Sequence, residues 1–181
     1  MENEIIFSDS FKEVFQFWKN LDRVEGSILP AKSSIHPKNL VGKLERVAIF
    51  EYFGPTKAMV RISGTALDKF LGRNVTGENM FDYFDEGNIK RYQKVNEELI
   101  HGSNGVISLR KINSPKAKSE MTLRSIGLPL NDKDGISRFI FAFYEFDKVI
   151  GKNLLTEFPA FEKFETFDYR IFDLNTGDWI D

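Results

Sequence analysis

Apolar residues recur every three or four positions near the start of the chain, in the stretch SFKEVFQFWKNL. The positions concerned are Phe11, Val14, Phe15, Trp18 and Leu21. This spacing places them on one side of a helix. Ser10 and Glu13 have the spacing of a capping box at its start. The pattern therefore predicts an amphipathic N-terminal flanking helix within residues 1–25.

Two β-prone runs follow, RVAIFEYF and AMVRISG, with the turn-forming GPTK between them, and they predict a hairpin. Short helical stretches are predicted on either side of it. Pro37 can open one behind His36, and TALDKFLG forms another that ends at Gly72. A longer helix is predicted from Asn88 to His101, since its apolar residues fall on one side.

Three further runs, GVISLRKI, SEMTLRSIGLPL and ISRFIFAFYEF, are separated by the turn-forming stretches NSPKAK and NDKDG. They predict three more strands. Because strands lie at both ends and the helices lie between them, we expect an α+β domain with one antiparallel sheet rather than an alternating parallel one.

A composition change near residue 148 suggests a boundary, so that 26–148 form the domain and 149–181 an acidic, Phe-rich C-terminal extension. In this extension phenylalanine recurs every third residue, at Phe158, Phe161, Phe164 and Phe167. Such a stripe must be covered. Docking onto the same chain is favoured, and an interaction segment for a partner is the alternative.

Composition narrows the class of protein. The chain has 181 residues, 41% of them hydrophobic and 18 of them Phe, which is typical of one folded domain with a real core. A net charge of −2 gives no general reason to bind nucleic acid or an acidic membrane surface. Neither a signal peptide nor an apolar run of the ~18 residues that span a membrane is recognisable. We therefore expect a cytoplasmic protein.

The sequence holds little that could support catalysis or metal binding. Gly64, Gly72 and Gly77 match neither a Walker loop nor a dinucleotide fingerprint, so they are interpreted as turn residues. The two histidines, His36 and His101, lie at predicted helix ends, and a lone haem-ligating His101 is the weaker alternative to a cap. No cysteine, metal motif or nucleophile motif is present. We expect neither a catalytic residue nor a metal site.

Basic residues gather on one predicted hairpin. They are Arg110, Lys111, Lys116, Lys118 and Arg124. Because no aromatic residues are interleaved with them in the manner of a nucleic-acid stacking platform, a solvated sheet edge is the favoured interpretation. Nucleic acid is not expected as a partner.

With these elements in place, the chain resembles the PAS domain family, and more narrowly the short single-PAS proteins of proteobacteria. The resemblance covers roughly Phe11 to Phe146. RISGTALDKFLGRNVTG carries it most specifically, at Arg61, Gly64, Thr65, Gly72, Arg73, Asn74, Thr76 and Gly77. LPAKSSIHP resembles the family's Pro-x-basic stretch at Pro30, Lys32, Ile35 and Pro37, although Ser34 and His36 replace the expected acids.

The resemblance implies a five-stranded antiparallel sheet with short helices on one face and a cavity between them. In light-sensing flavin relatives a cysteine forms a bond to the cofactor at the position of Val75, so covalent flavin chemistry is excluded here. Non-covalent flavin, haem or a metabolite stays open, and an empty cavity is favoured. The residues expected to face this cavity are Arg61, Phe84, Tyr92, Leu123, Phe141 and Phe143. For Arg61, pairing with Asp68 or Asp82 is preferred to contact with an anionic ligand.

Two classes of function follow. The first is a bacterial signal-transduction module without its own output, which senses a small ligand or binds a signalling partner in trans and forms a homodimer through the N-terminal helix. The second is a small cone-shaped α+β enzyme acting on a hydrophobic substrate. A buried His/Asp pair in the cavity would favour the enzyme, and its absence would favour the sensor. The sensor is preferred.

Overall fold

The protein is described by a computed structural model that covers residues 5–114, 119–146 and 166–180. Over these residues the chain forms three α-helices, four short 3₁₀ turns and seven strands. The helices are α1 (Asp9–Lys19), α2 (Thr65–Leu71) and α3 (Glu86–Ile100). The strands are β1 (Val47–Gly54), β2 (Lys57–Ser63), β3 (Asn104–Ser114), β4 (Ser119–Asn131), β5 (Ser137–Phe146), β6 (Thr166–Asp173) and β7 (Trp179–Ile180).

All seven strands belong to one antiparallel sheet with the order β2-β1-β5-β4-β3-β6-β7. The predicted α+β class is therefore confirmed, and the five predicted strands are adjacent in the sheet. The predicted number of strands is too low, because β6 and β7, from the C-terminal extension, add to the edge of β3. Phe167 docks onto the same chain, as favoured, whereas Phe158, Phe161 and Phe164 lie outside the described residues.

The sheet buries both of its faces, and each face has its own hydrophobic core. Helices α2 and α3 cover the face that we call the inner face, and α1 covers the opposite, outer face. Successive side chains of a strand point to opposite faces, so each strand contributes to both cores. On β5, Ile140, Ala142 and Tyr144 face inward. The cavity described below lies in the inner core.

Helix α1 begins two residues earlier than the predicted capping box. Its N-cap is Ser8, whose Oγ accepts a hydrogen bond from the Phe11 amide at 3.2 Å. The predicted cap formed by Ser10 and Glu13 is wrong, because Ser10 lies inside the first turn. The apolar stripe is buried on the outer face, and the Trp18 Nε1 donates to the Pro129 carbonyl at 2.9 Å. The surface predicted to form a dimer thus packs against its own sheet.

The observed ends of helices α2 and α3 lie within two residues of the predicted ends. Gly72 ends α2 in the left-handed conformation, with φ of 75°. Asp85 begins α3 by accepting a hydrogen bond from the Asn88 amide at 2.8 Å, which places the start two residues before the predicted Asn88. The first cap ends α2 and the second begins α3, the two helices that cover the inner face.

The PAS-like stretch between α2 and α3 is a hydrogen-bonded turn. The Asp68 carboxylate is its centre, because it accepts from Ser63 Oγ at 2.6 Å and from Asn74 Nδ2 at 3.1 Å. Asn74 in turn accepts from the Thr76 amide at 2.9 Å. The stretch therefore orders the short helical layer without contacting the cavity.

Candidate functional site

A small cavity lies between α3 and the inner face of the sheet. Its volume is about 30 Å³. It is lined by Phe50, Tyr92, Val95, Asn96, Leu99, Val106, Ser108, Arg110, Ser125, Gly127, Ile140, Ala142 and Tyr144. A cavity needs about 10–15 Å³ of this kind of volume to hold one water molecule, so this one has room for a very small group. Pockets that hold drug-sized ligands are about ten times larger or more.

Strands β3 and β4 supply a polar cluster to this cavity. Alternation along β3 points Val106, Ser108 and Arg110 to the same face, and Ser108 lies directly opposite Ser125 in the ladder. The two hydroxyl oxygens are 2.9 Å apart. Arg110 Nη1 donates to Ser125 Oγ at 3.0 Å. The register of one strand pair therefore builds the polar floor of the cavity.

Arg110 is the most unusual member of the cluster, because it is a charged residue that is only 5% exposed. A buried guanidinium loses its hydration and must receive compensating contacts. One of them is the ring of Phe167 on β6, whose centroid is 5.2 Å from the guanidinium carbon. A cation above an aromatic face is attracted by the ring's quadrupole. A positive charge is therefore held at the wall of the cavity.

Two tyrosines close the cavity from different elements, Tyr92 from α3 and Tyr144 from β5. Burial raises the pKa of both hydroxyls, although the nearby Arg110 charge acts in the opposite direction. Both phenols are thus neutral hydrogen-bond donors at ordinary pH. Asn96, one turn after Tyr92, is 1% exposed and donates through Nδ2 to the Tyr92 carbonyl at 2.8 Å.

An aromatic cluster stands beside the polar one. The rings of Phe84 and Tyr92 stack with centroids 4.1 Å apart. Phe167 meets Phe84 edge-on at 5.3 Å and Tyr92 at 5.7 Å. This cluster joins the turn before α3, α3 itself and the C-terminal strand at one end of the cavity.

Three of the six residues predicted to face the cavity lie in the inner core. Tyr92 lines the cavity. Phe84 and Leu123 are 3% and 1% exposed and are buried in the same core, but neither lines the cavity. Phe84 contacts the cavity residue Tyr92 through a stack of the two rings. All three side chains therefore lie in the inner core, but of the three only Tyr92 lines the cavity.

The placement of Phe141 and Phe143 in the cavity is wrong. Both lie in the outer core, where Phe143 meets Phe11 at 6.3 Å and Phe141 meets Phe17 at 6.1 Å between ring centroids. The reason is the alternation of β5, because Ala142 between them faces the cavity. Neither phenylalanine can contact a ligand bound there without a change of strand register.

Arg61 is also misplaced by the prediction. It lies on the edge strand β2, its side chain is 43% exposed, and Nε donates to Glu51 Oε2 at 2.6 Å. Asp68, one of the two acids predicted to pair with it, instead accepts from Ser63 and Asn74. The inward position next to it on β2 is taken by the buried Val60. Arg61 therefore braces two strands at the surface, away from the cavity.

The interpretation of the basic hairpin as a solvated edge is wrong for Arg110 and Arg124. Strand β3 lies between β4 and β6, so the hairpin is inside the sheet. The Arg124 side chain is 19% exposed and lies 3.5 Å from Glu145. Lys116 and Lys118 lie outside the described residues. Sequence reasoning missed Ser108, Arg110 and Ser125 as cavity residues, although Ser108 and Arg110 alternate with apolar positions in GVISLRKI.

The histidines lie away from the cavity. His101 is the C-cap of α3 with a 65% exposed side chain, and His36 is exposed before a 3₁₀ turn. Within residues 5–114, 119–146 and 166–180, no three His, Asp or Glu side chains are placed to hold a metal ion. Over the same residues, no helix is long and apolar enough to cross a membrane.

Comparison with known families identifies the class of protein. A profile described as PAS domain matches residues 6–144, most of the chain. The chain therefore belongs to the PAS domain family, and the antiparallel sheet with short helices on one face agrees with it.

Two solved structures are similar at low sequence identity. One is described as VqmA bound to DPO, with 12% identity, a TM-score of 0.42 and coverage of 55% of this chain and 52% of that one. The other is described as an RNA-binding Light-Oxygen-Voltage Receptor, with 13% identity, a TM-score of 0.46 and coverage of 69% and 35%. This chain thus spans about half or less of each. A comparison with curated proteins found no match.

Proposed function

We propose that this protein is a sensory PAS module that binds a small molecule in the cavity walled by Arg110. The observation that supports this most strongly is the burial of a guanidinium, two serine hydroxyls, two tyrosines and an asparagine around one cavity. Buried polar groups are costly unless they are satisfied, and their gathering around one cavity favours an occupant that can form hydrogen bonds. The family is one whose members commonly sense small molecules or bind proteins.

The lining supports a small ligand rich in hydrogen-bond acceptors. Arginine and tyrosine donate, and the serine and asparagine groups can do so as well. A cavity of about 30 Å³ accepts such a molecule only if it is very small or if Tyr92 and Tyr144 move. A flavin or haem does not fit the described lining, because the space of about 30 Å³ is far too small for either group.

The sensor is preferred to the cone-shaped enzyme by the criterion set from the sequence. Among the described residues that line the cavity there is no histidine and no carboxylate. A general acid or base with a pKa near neutrality is therefore not available from the described lining. The buried tyrosines, with raised pKa values, serve as hydrogen-bond donors.

We further propose that the module acts in trans on a signalling protein in the cytoplasm of a bacterium. A homodimer through α1 would have to use the polar side of the helix, since its apolar stripe is buried in the outer core. Nucleic acid is not proposed as a partner, because Arg110 and Arg124 are turned into the protein rather than displayed.

An absorption spectrum and a native mass spectrum of the purified protein test this function. We expect no flavin or haem band, and a mass equal to the 20.9 kDa chain or to the chain with a small adduct. A chromophore band would contradict the proposed ligand size. A protein that binds no small molecule in a fragment screen, while binding a protein partner tightly, would favour a pure interaction module.

A further inference from the structure

The C-terminal strand β6 is the sheet neighbour of the strand that builds the polar floor of the cavity. It lies outside the residues matched by the family profile. It pairs with β3 continuously from Asn104↔Asp173 to Lys111↔Thr166, and this places Phe167 directly opposite Arg110. An element added to the PAS core is thus in register with the cavity residues.

Phe167 makes contact with both walls of the cavity. Phe167 is only 1% exposed. It lies against Arg110 from the sheet, with 5.2 Å between ring centroid and guanidinium carbon, and against Tyr92 from α3, with 5.7 Å between centroids. Arg110 and Tyr92 cannot change position without changing the packing of this ring.

We propose that Phe167 is a positioning residue of the ligand site, and that it couples the arrangement of Arg110 and Tyr92 to the docking of strand β6. A ligand that moves Arg110 or Tyr92 would loosen or tighten the docking of β6. The biological meaning of this inference rests on the proposed function, which supplies that ligand. Coupling of this kind is reciprocal, so undocking of β6 would also alter the cavity. Strand β6 is then the element through which occupancy of the cavity is reported.

A matched control is present on the same strand. Phe172 is 0% exposed, but it faces the outer core, where it meets Phe7 at 5.0 Å and Phe15 at 5.3 Å. Phe167→Leu and Phe172→Leu therefore remove the same atoms from the same strand on opposite faces. Both weaken the docking of β6, and only the first removes a contact with the cavity wall.

The first measurement is the ¹H–¹⁵N NMR spectrum of both variants and the wild type. We expect Phe167→Leu to shift the amide signals of Tyr92, Ser125 and Tyr144, and Phe172→Leu to leave them in place. Equal shifts in both variants would overturn the proposal, because they would show a general effect of loosening β6.

The second measurement approaches the coupling from the cavity. Arg110→Lys keeps the charge but loses the planar guanidinium that lies over the Phe167 ring. We expect the β6 amides of this variant to exchange hydrogen about two- to tenfold faster, the local opening that corresponds to a weakened cation–π contact, with β1 and β2 unchanged. Unchanged exchange in β6, or a uniform increase in all strands, would overturn the proposal.

Neither measurement requires a ligand, so the two proposals fail separately. If no small molecule binds but the variants behave as expected, the sensory function is wrong and the coupling stands. If a molecule binds and Arg110→Lys leaves β6 unchanged, the ligand site stands and Phe167 has no positioning role.

Discussion

Trp18→Phe tests whether α1 is held by its own sheet. Trp18 is 2% exposed, stacks on Phe15 with centroids 6.0 Å apart, and donates from Nε1 to the Pro129 carbonyl at 2.9 Å. The variant keeps an aromatic ring but loses the donor. It leaves the Pro129 carbonyl buried without this bond.

The expected loss of stability can be worked out from these contacts. A buried acceptor left unsatisfied costs about 1–3 kcal/mol. The smaller ring gives up apolar burial at about 0.8 kcal/mol per methylene-sized group, or about 1–2 kcal/mol here. The free energy of unfolding should therefore fall by about 2–5 kcal/mol, and Tm by about 2–4 °C for each kcal/mol in a domain of this size.

Urea unfolding at several protein concentrations measures this loss. Gln16→Ala is the control, since its side chain is exposed on the same helix and a surface change costs within about 0.5 kcal/mol. A loss below about 1 kcal/mol for Trp18→Phe would refute the reasoning that the stripe packs on its own sheet. A loss that depends on protein concentration would instead indicate that the stripe forms a dimer interface.

Two further predictions concern glycine packing and pH. A Cβ on Gly105 would lie 2.1 Å from the Phe172 ring, so Gly105→Ala should destabilise the fold by about 1–3 kcal/mol. In Gly87→Ala, on α3, the nearest contact of the new Cβ is at 3.5 Å, so this variant should stabilise the fold by about 0.5–1 kcal/mol. Equal effects of the two variants in chemical denaturation would contradict this prediction. The Ile136 amide, with that of Asp134, lowers the pKa of Asp132 below its ordinary 3.8. A lowered carboxylate pKa stabilises the fold above the unfolded value and loses this effect as pH falls through the folded value. The stability difference between wild type and Asp132→Asn should therefore be present at neutral pH and vanish in acid, and urea midpoints that differ equally at both pH values would refute it.

The sequence predicts best the elements whose pattern has one clear period or one clear breaker. The α1 stripe, the β1–β2 hairpin and the Gly72 end of α2 depend on local physics, and the structure confirms them. Local signals also place α3 to within two residues at its start, where the Asp85 cap decides the boundary.

The face of β5 could not be predicted from its sequence. In the run from Phe139 to Phe146 nearly every residue is apolar, because the sheet is covered on both faces and polar alternation is missing. Without that alternation the inward residues cannot be told from the outward ones, and the prediction for Phe141 and Phe143 is therefore wrong.

The polar floor of the cavity was missed for a different reason. Charged residues are rarely buried, so Arg110 is naturally interpreted as a surface residue until its neighbours are known. Its burial depends on β6 covering the edge of β3, and this pairing joins segments separated by two strands and a long connection. Such a contact leaves no local pattern in the sequence.

A ¹H–¹⁵N NMR titration with sodium acetate and with acetamide tests most directly whether the Arg110 cavity binds small acceptor-bearing molecules. Ala142 lines the cavity, so Ala142→Val serves as a variant that fills it. The proposed function predicts saturable shifts at the amides of Ser108, Arg110 and Ser125 in the wild type and their loss in Ala142→Val. Shifts that are absent with both molecules, or that persist in the filled variant, would contradict it.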